Sequence, residues 1–509
     1  MYAQVGSAGL FGLNAFPVTV EIEASKGIAA FDIVGLADAS VRESRDRIKS
    51  ALRCTKINFP DAKVLINLAP ADAKKTGSGF DLAIAVAVLR VLSLVDDSEL
   101  NKSAFIGEVS LSGEIRPING VLPMTILAKK NGVTRMYVPF ENAKEASCIE
   151  GIEVFGIRSL GELILHFNGK VRLCATPRYI PDEESFFGTL DYKDVKGQET
   201  AKFALEVAAA GGHNAIMIGT PGSGKSMLAK RLPSILPAMT FDESIDVTNI
   251  HSVAGIIDKD HPLITKRPFR SPHHTVSTAG LSGGGSIPRP GEISLAHGGV
   301  LFLDELAEFS RQSLEILRQP LEDKKVTISR ASGSVTYPCS FMLIAAMNPC
   351  PCGYFGHPTR KCICTPKQVH SYLSRISGPL LDRFDIHVEV APVEYSDIAS
   401  DKTEEPSSKI RERVQAARDI QNARFRGTDV NCNANITPDM IRDVCRLSQK
   451  ASDMLEKVFD RLGLSARAYD KILKVARTVA DMDGSEIIDA KHIALAVQFR
   501  SLDRKYWNG

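Results

Sequence analysis

The sequence predicts an α/β protein in three parts: an α+β amino-terminal domain, a central doubly wound parallel sheet, and a helical carboxy-terminal domain. Three observations carry that reading. Over residues 1–173, short apolar runs such as "KVLINLAP" alternate with helix-patterned stretches such as "SVRESRDRIKSAL". From residue 192 onward, buried-strand runs and helices alternate in the order a parallel sheet requires. Beyond the polar connection "EYSDIASDKTEEPSSK" the pattern is helical throughout. With 509 residues, 44% hydrophobic and 24% charged, the chain can fill about three domain cores.

Taken in order, "SVRESRDRIKSAL" sets Val41, Ile48 and Leu52 on one helical face. Arg42, Glu43, Arg45, Asp46, Arg47 and Lys49 fill the rest, predicting a surface helix with a solvated charged face. "CATPRYIPDEESFFGTLDYKD" has prolines and acids without periodicity, so residues 174–191 read as a linker. The second domain is expected over 192–395, with a cysteine-rich insertion at 350–364, and the helical domain over 396–509. Thr437 with Pro438, and Asp489, are the expected starts of two of its helices. "LEDKKVTISRASGSVTYP" predicts a β-hairpin turning at "SRASGS", with Arg330 near its tip.

The formal charge of +2 provides no global basic field, so any nucleic-acid surface must be local. The first 25 residues contain no Lys or Arg, and no run approaches the ~18 apolar residues of a membrane helix. Neither a signal peptide nor a membrane partner is expected, and the predicted location is cytoplasmic. There, clustered cysteines more often bind metal or do chemistry than form disulfides.

"NAIMIGTPGSGKSMLAKRL" runs from strand to glycine-rich loop to helix. Gly219, Thr220, Pro221, Gly222, Ser223, Gly224, Lys225 and Ser226 make a complete phosphate loop. Its glycines let backbone N–H groups approach phosphates, Lys225 reaches the β and γ oxygens, and Ser226 ligates magnesium. ATP and Mg²⁺ are the expected ligands. "GGVLFLDEL" ends in Asp304, which would hold the Mg²⁺ shell, and Glu305, which would activate the attacking water. "SFMLIAAMN" ends in Asn348, suited to positioning that water.

In this order the motifs resemble those of AAA+ ATPases: Walker A, Walker B with its catalytic glutamate, then sensor 1. "SGPLLDRFDIHVEV" resembles the segment that carries the arginine finger, which would be Arg383 acting in a neighbouring subunit. The alternative for Arg383 is local pairing with Asp382 or Asp385. Arg467, after the expected cap Ser465 in "GLSARAYDKILKVARTVAD", lies where the family places sensor 2. "RPFRSPHHTVS", "PRPGEISLAHGGVLFLDEL", "LRQPLEDKKVTISRA", "AAMNPCPCG" and "SGPLLDRFD" together resemble the YifB/ComM group of magnesium-chelatase-like AAA+ proteins. That resemblance implies a hexameric, ATP-driven DNA motor of helicase or branch-migration type. It further implies a part in recombination during natural transformation, with single-stranded or branched DNA and recombination proteins as partners.

"KKTGSGFDLAIAVAVLRVLS" and "FIGEVSLSGEIRPINGVLPMTILAKKNG" resemble the S5-type proteolytic domain of Lon. The resemblance puts Gly79 at the nucleophile position and Leu122 at the lysine position, so peptidase chemistry is not expected. Ser78 with Lys74 or Lys75 is the nearest substitute pair.

Cys350, Cys352, Cys362 and Cys364 form C-x-C, nine residues, C-x-C, which could present four thiolates to a structural Zn²⁺. His357 or His370 could replace a thiolate, and a redox or merely structural role is the alternative. Cys54, Cys148, Cys174, Cys339, Cys432 and Cys445 are expected to be packing residues. Lys266, Arg267, Arg270, His273 and His274, with Arg289 and Arg330, are the local basic residues that could grip DNA phosphates; each could equally be a solvated loop residue. The leading expectation is the DNA motor. A protein-remodelling ATPase of magnesium-chelatase type is the main rival.

Overall fold

The long strands β1 (Tyr2–Phe11) and β2 (Asn14–Ser25) pair antiparallel from Tyr2↔Glu23 to Phe11↔Asn14 and form the spine of a seven-stranded sheet. In this computed structural model the described residues are 1–181, 190–285, 288–330, 333–357, 359–392, 404–500, 502, 506 and 507. Residues 182–189 and 393–403 of the two polar connections lie outside them. So do residues 286–287 of the glycine-rich loop, 331–332 of the hairpin turn and Pro358.

The amino-terminal sheet is completed by β3 (Ala30–Val34), β4 (Lys63–Ala69), β5 (Ser103–Phe105), β8 (Arg135–Pro139) and β9 (Glu153–Ile157), in the order β3-β4-β2-β1-β5-β8-β9. A ribbon of β6 (Glu108–Val109) and β7 (Ile115–Arg116) stands apart. The helix Ala39–Cys54 begins at Asp38, whose carboxylate accepts from Val41 N at 2.9 Å, and buries Val41, Ile48 and Leu52 as the sequence predicts. Its charged face is not wholly solvated. Arg47 turns inward and donates to Asp81 at 2.7 and 3.0 Å, because Asp81 is fully buried at the start of its helix and needs a cation.

The central sheet contains β10 (Ala215–Gly219), β11 (Phe269–Arg270), β14 (Val300–Leu303), β17 (Met342–Met347) and β18 (Ile386–Val390). All pair in parallel, in the order β11-β14-β17-β10-β18. Their carboxyl ends therefore open on one edge, where open α/β sheets bind ligands. Two antiparallel ribbons branch from this domain: β12 (Gly283–Gly284) with β13 (Arg289–Pro290), and β15 (Lys325–Arg330) with β16 (Gly333–Pro338). The second is the predicted hairpin. It leans on the amino-terminal domain: a methyl built on Gly333 would lie 2.7 Å from the Phe11 ring, and Gly12 packs on Val335.

The carboxy-terminal region has the helices Ser407–Arg424, Ile441–Val444, Gln449–Leu462, Ala466–Met482 and Ala490–Gln498. Ser465 and Asp489 cap the last two as predicted. Thr437 does not cap a helix. Its carbonyl closes a turn on Met440 N at 3.0 Å, and the short helix starts at Ile441. Lys471 of the helix Ala466–Met482 reaches Asp385 at 3.1 Å, just before β18, where His213 also approaches Asp385 at 3.4 Å. Burial alone would raise the Asp385 carboxyl; Lys471 and then His213 reverse this and hold it far below the usual carboxylate range.

The first two domains share a small apolar contact of Leu122, Cys148 and Leu263. Beside it, Glu145 accepts from Leu122 N at 3.0 Å and from the Ser252 hydroxyl. Cys148, Cys339, Cys432 and Cys445 are buried as expected, but Cys54 and Cys174 are exposed. Cys54 ends a surface helix and Cys174 opens the linker, so neither faces a core.

Candidate active site

After Gly219 the chain turns through residues 220–224 into the helix Lys225–Arg231. Gly222 and Gly224 lie at φ +77 and +92, left-handed values that glycine adopts without strain and that turn N–H groups toward one side. Lys225 donates to the carbonyls of Gly219 at 2.7 Å and Thr220 at 2.8 Å, and to Asn348 Oδ1 at 3.2 Å. Burial pushes this ammonium down to about 8, against the pull of Asp304. Ser226 donates its hydroxyl to Asp304 Oδ2 at 2.5 Å. A hydroxyl and a carboxylate meeting at one point are the hard oxygen donors that magnesium takes, so the residues fit that ion.

Glu305 follows with φ +52, a conformation that costs a non-glycine residue on the order of 1 kcal/mol. Its N–H donates to Asp304 Oδ1 at 2.9 Å, and its carboxylate stands 3.3 Å from His274 Nδ1. The sequence predicts His274 among the basic loop residues; the structure sets it against Glu305 instead. Strands β11 and β14 are parallel neighbours, Arg270 opposite Leu301, and the loops leaving their carboxyl ends bring His274 beside Glu305. Asn348 emerges from β17, the strand between β10 and β14, and accepts from Lys225 there. Beside the phosphate loop a cavity of about 490 Å³ is lined by Gln198, Gly219, Thr220, Phe355, Val390 and Tyr506, among others.

Other expected residues lie elsewhere. Arg383 pairs with Glu322, not with Asp382 or Asp385 as the local alternative had it; Asp385 is taken by Lys471 and His213. Arg467 is exposed in the first turn of its helix and is not drawn into the group around Lys225. Two basic candidates are corrected. Arg267 gives its donors to the carbonyls of Pro237 at 2.6 Å, Gly298 at 2.7 Å and Ala238 at 3.3 Å, and to Glu243 at 3.1 Å. Arg270 makes a bidentate pair with Glu292, 2.7 Å for each bond. The Arg267 guanidinium is taken up internally and that of Arg270 is paired with Glu292, which a linear reading of "TKRPFR" could not reveal. Lys266, Arg289 and Arg330 are exposed. Arg330 lies against Gly284, which pairs across the ribbon with Arg289, so these two arginines neighbour each other.

In the amino-terminal domain Ser78 donates to Glu108, while Lys75 is buried and donates to the Pro70 carbonyl. Lys74 is exposed, Gly79 offers no nucleophile, and Leu122 is fully buried in the interdomain contact. Serine and lysine thus have separate partners. The four cysteine sulfurs of 350–364 converge, all within 4.8 Å of one another. His357 and His370 are not part of that group; His357 Nδ1 instead accepts from Thr359 N at 3.1 Å and Arg360 N at 3.0 Å.

A phosphate loop on one strand, paired carboxylates two strands away and an asparagine on the strand between them define an AAA+ ATPase. The families described as "Magnesium chelatase, subunit ChlI", "Subunit ChlI of Mg-chelatase" and "Magnesium chelatase, subunit ChlI C-terminal" match residues 191–398, 20–142 and 404–500. Competence protein ComM of Haemophilus influenzae is 40% identical over 506 residues, 99% of this chain and 98% of that one. Protein YifB of Escherichia coli is 41% identical over 504 residues, 98% and 97%. Lon protease 2 of Bacillus subtilis is 27% identical over 145 residues, 27% of this chain and 26% of its own. The chain belongs to the YifB/ComM family of magnesium-chelatase-like AAA+ proteins.

Proposed function

We propose that the protein is an ATP-hydrolysing hexameric DNA motor of helicase or branch-migration type, acting in the cytoplasm on single-stranded or branched DNA. The observation that carries the hydrolytic half is the convergence of Lys225, Ser226, Asp304, Glu305 and Asn348 on one sheet edge. Magnesium, when bound, screens the phosphate charge. The chain's own residues do the rest: the loop amides and Lys225 hold the phosphates, Ser226 and Asp304 hold the ion, and Glu305 takes the proton of the attacking water. His274 holds the Glu305 carboxylate at the site's rim. Asn348, sharing its oxygen with Lys225, is placed to orient the water.

Arg383 would complete this site from the neighbouring protomer, leaving Glu322 to do so, and Arg467 would couple nucleotide state to the helical domain. The domain limits stated from the sequence and a Lon-like domain without peptidase activity, used for subunit assembly or substrate contact, belong to the same proposal. So does a contribution to recombination in natural transformation, alongside recombination proteins. It is supported by the name competence protein borne by the Haemophilus influenzae relative and by the adjacent exposed pair Arg289 and Arg330. Lys266 is a further phosphate contact.

The test is ATP turnover with and without single-stranded, duplex and four-way-junction DNA. Stimulation with junction migration, both absent in Glu305→Gln, is the expected result. Turnover indifferent to every DNA would favour the protein-remodelling reading instead.

A further inference from the structure

Sulfur positions in the cysteine-rich insertion follow a recognisable metric. In a tetrahedral thiolate site with Zn–S of about 2.3 Å, neighbouring sulfurs lie about 3.8 Å apart. Here Cys350 and Cys352 are 3.3 Å apart, Cys352 and Cys362 3.5 Å, and Cys350 and Cys362 3.7 Å, with Cys364 inside the same 4.8 Å sphere. These separations are far too long for disulfides and bracket the spacing of a tetrahedral thiolate site. Cys350 also accepts a hydrogen bond from Phe355 N at 3.3 Å, the kind of second contact that orients a metal-bound sulfur.

The loop so tied is in contact with the nucleotide site. Gly353, between the two cysteine pairs, presses on the phosphate loop: a methyl built there would lie 2.5 Å from Pro221 Cδ and 2.6 Å from Cγ. Phe355 and Gly356, still inside the insertion, share the walls of the cavity beside Gly219 and Thr220. Cys350 is fully buried, and it follows Asn348 by only two residues. The insertion therefore touches the phosphate-binding turn and is joined through the chain itself to Asn348, two residues before Cys350.

We propose that Cys350, Cys352, Cys362 and Cys364 bind one structural Zn²⁺, and that the tied loop braces Pro221 so that metal occupancy sets nucleotide affinity. The second half rests on the phosphate-loop reading given above. No redox step is involved. The ion closes the loop, and the closed loop limits where Pro221 can move.

Three measurements test this. Metal content of protein purified without chelator should be one zinc per chain, and Co²⁺ reconstitution should give the intense visible bands of a tetrahedral thiolate site. Wild-type protein stripped of metal and then reloaded with Zn²⁺ should lose and regain affinity for a fluorescent ADP analogue by roughly tenfold, one decade in Kd. Gly353→Ala should keep its zinc yet bind the analogue more weakly. Substoichiometric zinc together with no cobalt bands would overturn the metal site. Full zinc with nucleotide affinity unchanged on stripping and in Gly353→Ala would overturn the brace. Loaded wild-type protein that bound no analogue at all would sink the phosphate-loop reading on which the brace depends, while zinc stoichiometry would still decide the metal site by itself.

Discussion

Lys471→Met removes the cation that holds Asp385, and its cost can be worked from the contacts. Lys471 reaches Asp385 at 3.1 Å and also donates to the Phe384 carbonyl at 3.0 Å and to the Asp382 carbonyl. The two side chains are 17% and 14% exposed, so the pair is largely desolvated. The same burial lowers the Lys471 ammonium below the ordinary lysine value even beside its partner. The intact pair therefore adds little net stability, whereas breaking one half leaves a buried carboxylate, at about 3–5 kcal/mol. His213 remains at 3.4 Å, which puts the expectation near the lower figure, about 3 kcal/mol.

Trp507, the single tryptophan of the chain, lies 6.3 Å from the His387 ring of β18 and donates its indole N–H to Leu373 at 3.4 Å. Its fluorescence therefore reports urea unfolding of this region directly. The double variant Lys471→Met/Asp385→Leu should regain about half of the loss, since Asn214 N still loses its acceptor. The Asp385 carboxyl is depressed in the folded state, so its contribution is present above the unfolded pKa of about 4 and lost as pH falls below it. Without Lys471 that depression shrinks, and the gap between wild type and variant narrows on acidification. A loss below about 1 kcal/mol for the single variant, or a double variant less stable than the single, would refute the reasoning.

Three further outcomes are expected. Arg383→Ala and Lys225→Ala should each be inactive alone, yet mixing them should restore some turnover, because mixed rings contain interfaces with both residues; activity of the mixture no higher than the sum of its parts would contradict a finger in trans. Arg330→Ala should keep basal ATP turnover but lose roughly one unit of the salt dependence of DNA binding, as one phosphate contact would; an unchanged salt slope would remove Arg330 from the interface. Burial pushes the Lys225 ammonium down to about 8, so affinity for a fluorescent ATP analogue should fall as pH rises through that value; a flat profile across it would show that the phosphates meet a lysine of ordinary basicity.

Contiguous features were the legible ones. The phosphate loop, the carboxylates after an apolar strand and the asparagine after the next are each written in one stretch, because strand, turn and helix start are local events. The charged helix over 39–54 was legible in its apolar face but not in Arg47, whose partner Asp81 lies 34 residues away. His274 escapes a linear reading because its neighbour is fixed by which strands lie side by side, which a single sequence does not display. Arg267 and Arg270 were misjudged for the same reason: charge in a loop says nothing of which carbonyl or carboxylate folds over it. The thiol cluster was legible as a spacing. Its contact with Pro221 was not.

The resting of the hairpin tip on the turn of the amino-terminal domain has a mechanical consequence. With the Phe11 ring against Gly333 and Gly12 against Val335, there is no slack on one side of the ribbon, while its solvent side is open. A ribbon buttressed in this way can deflect freely in only one sense. A strand of nucleic acid pulling on Arg330 toward the buttress would transmit its force to the whole seven-stranded sheet, and a pull the other way would merely bend the ribbon. If the chain moves nucleic acid as proposed, the amino-terminal domain would then serve as the anvil that gives that motion its direction.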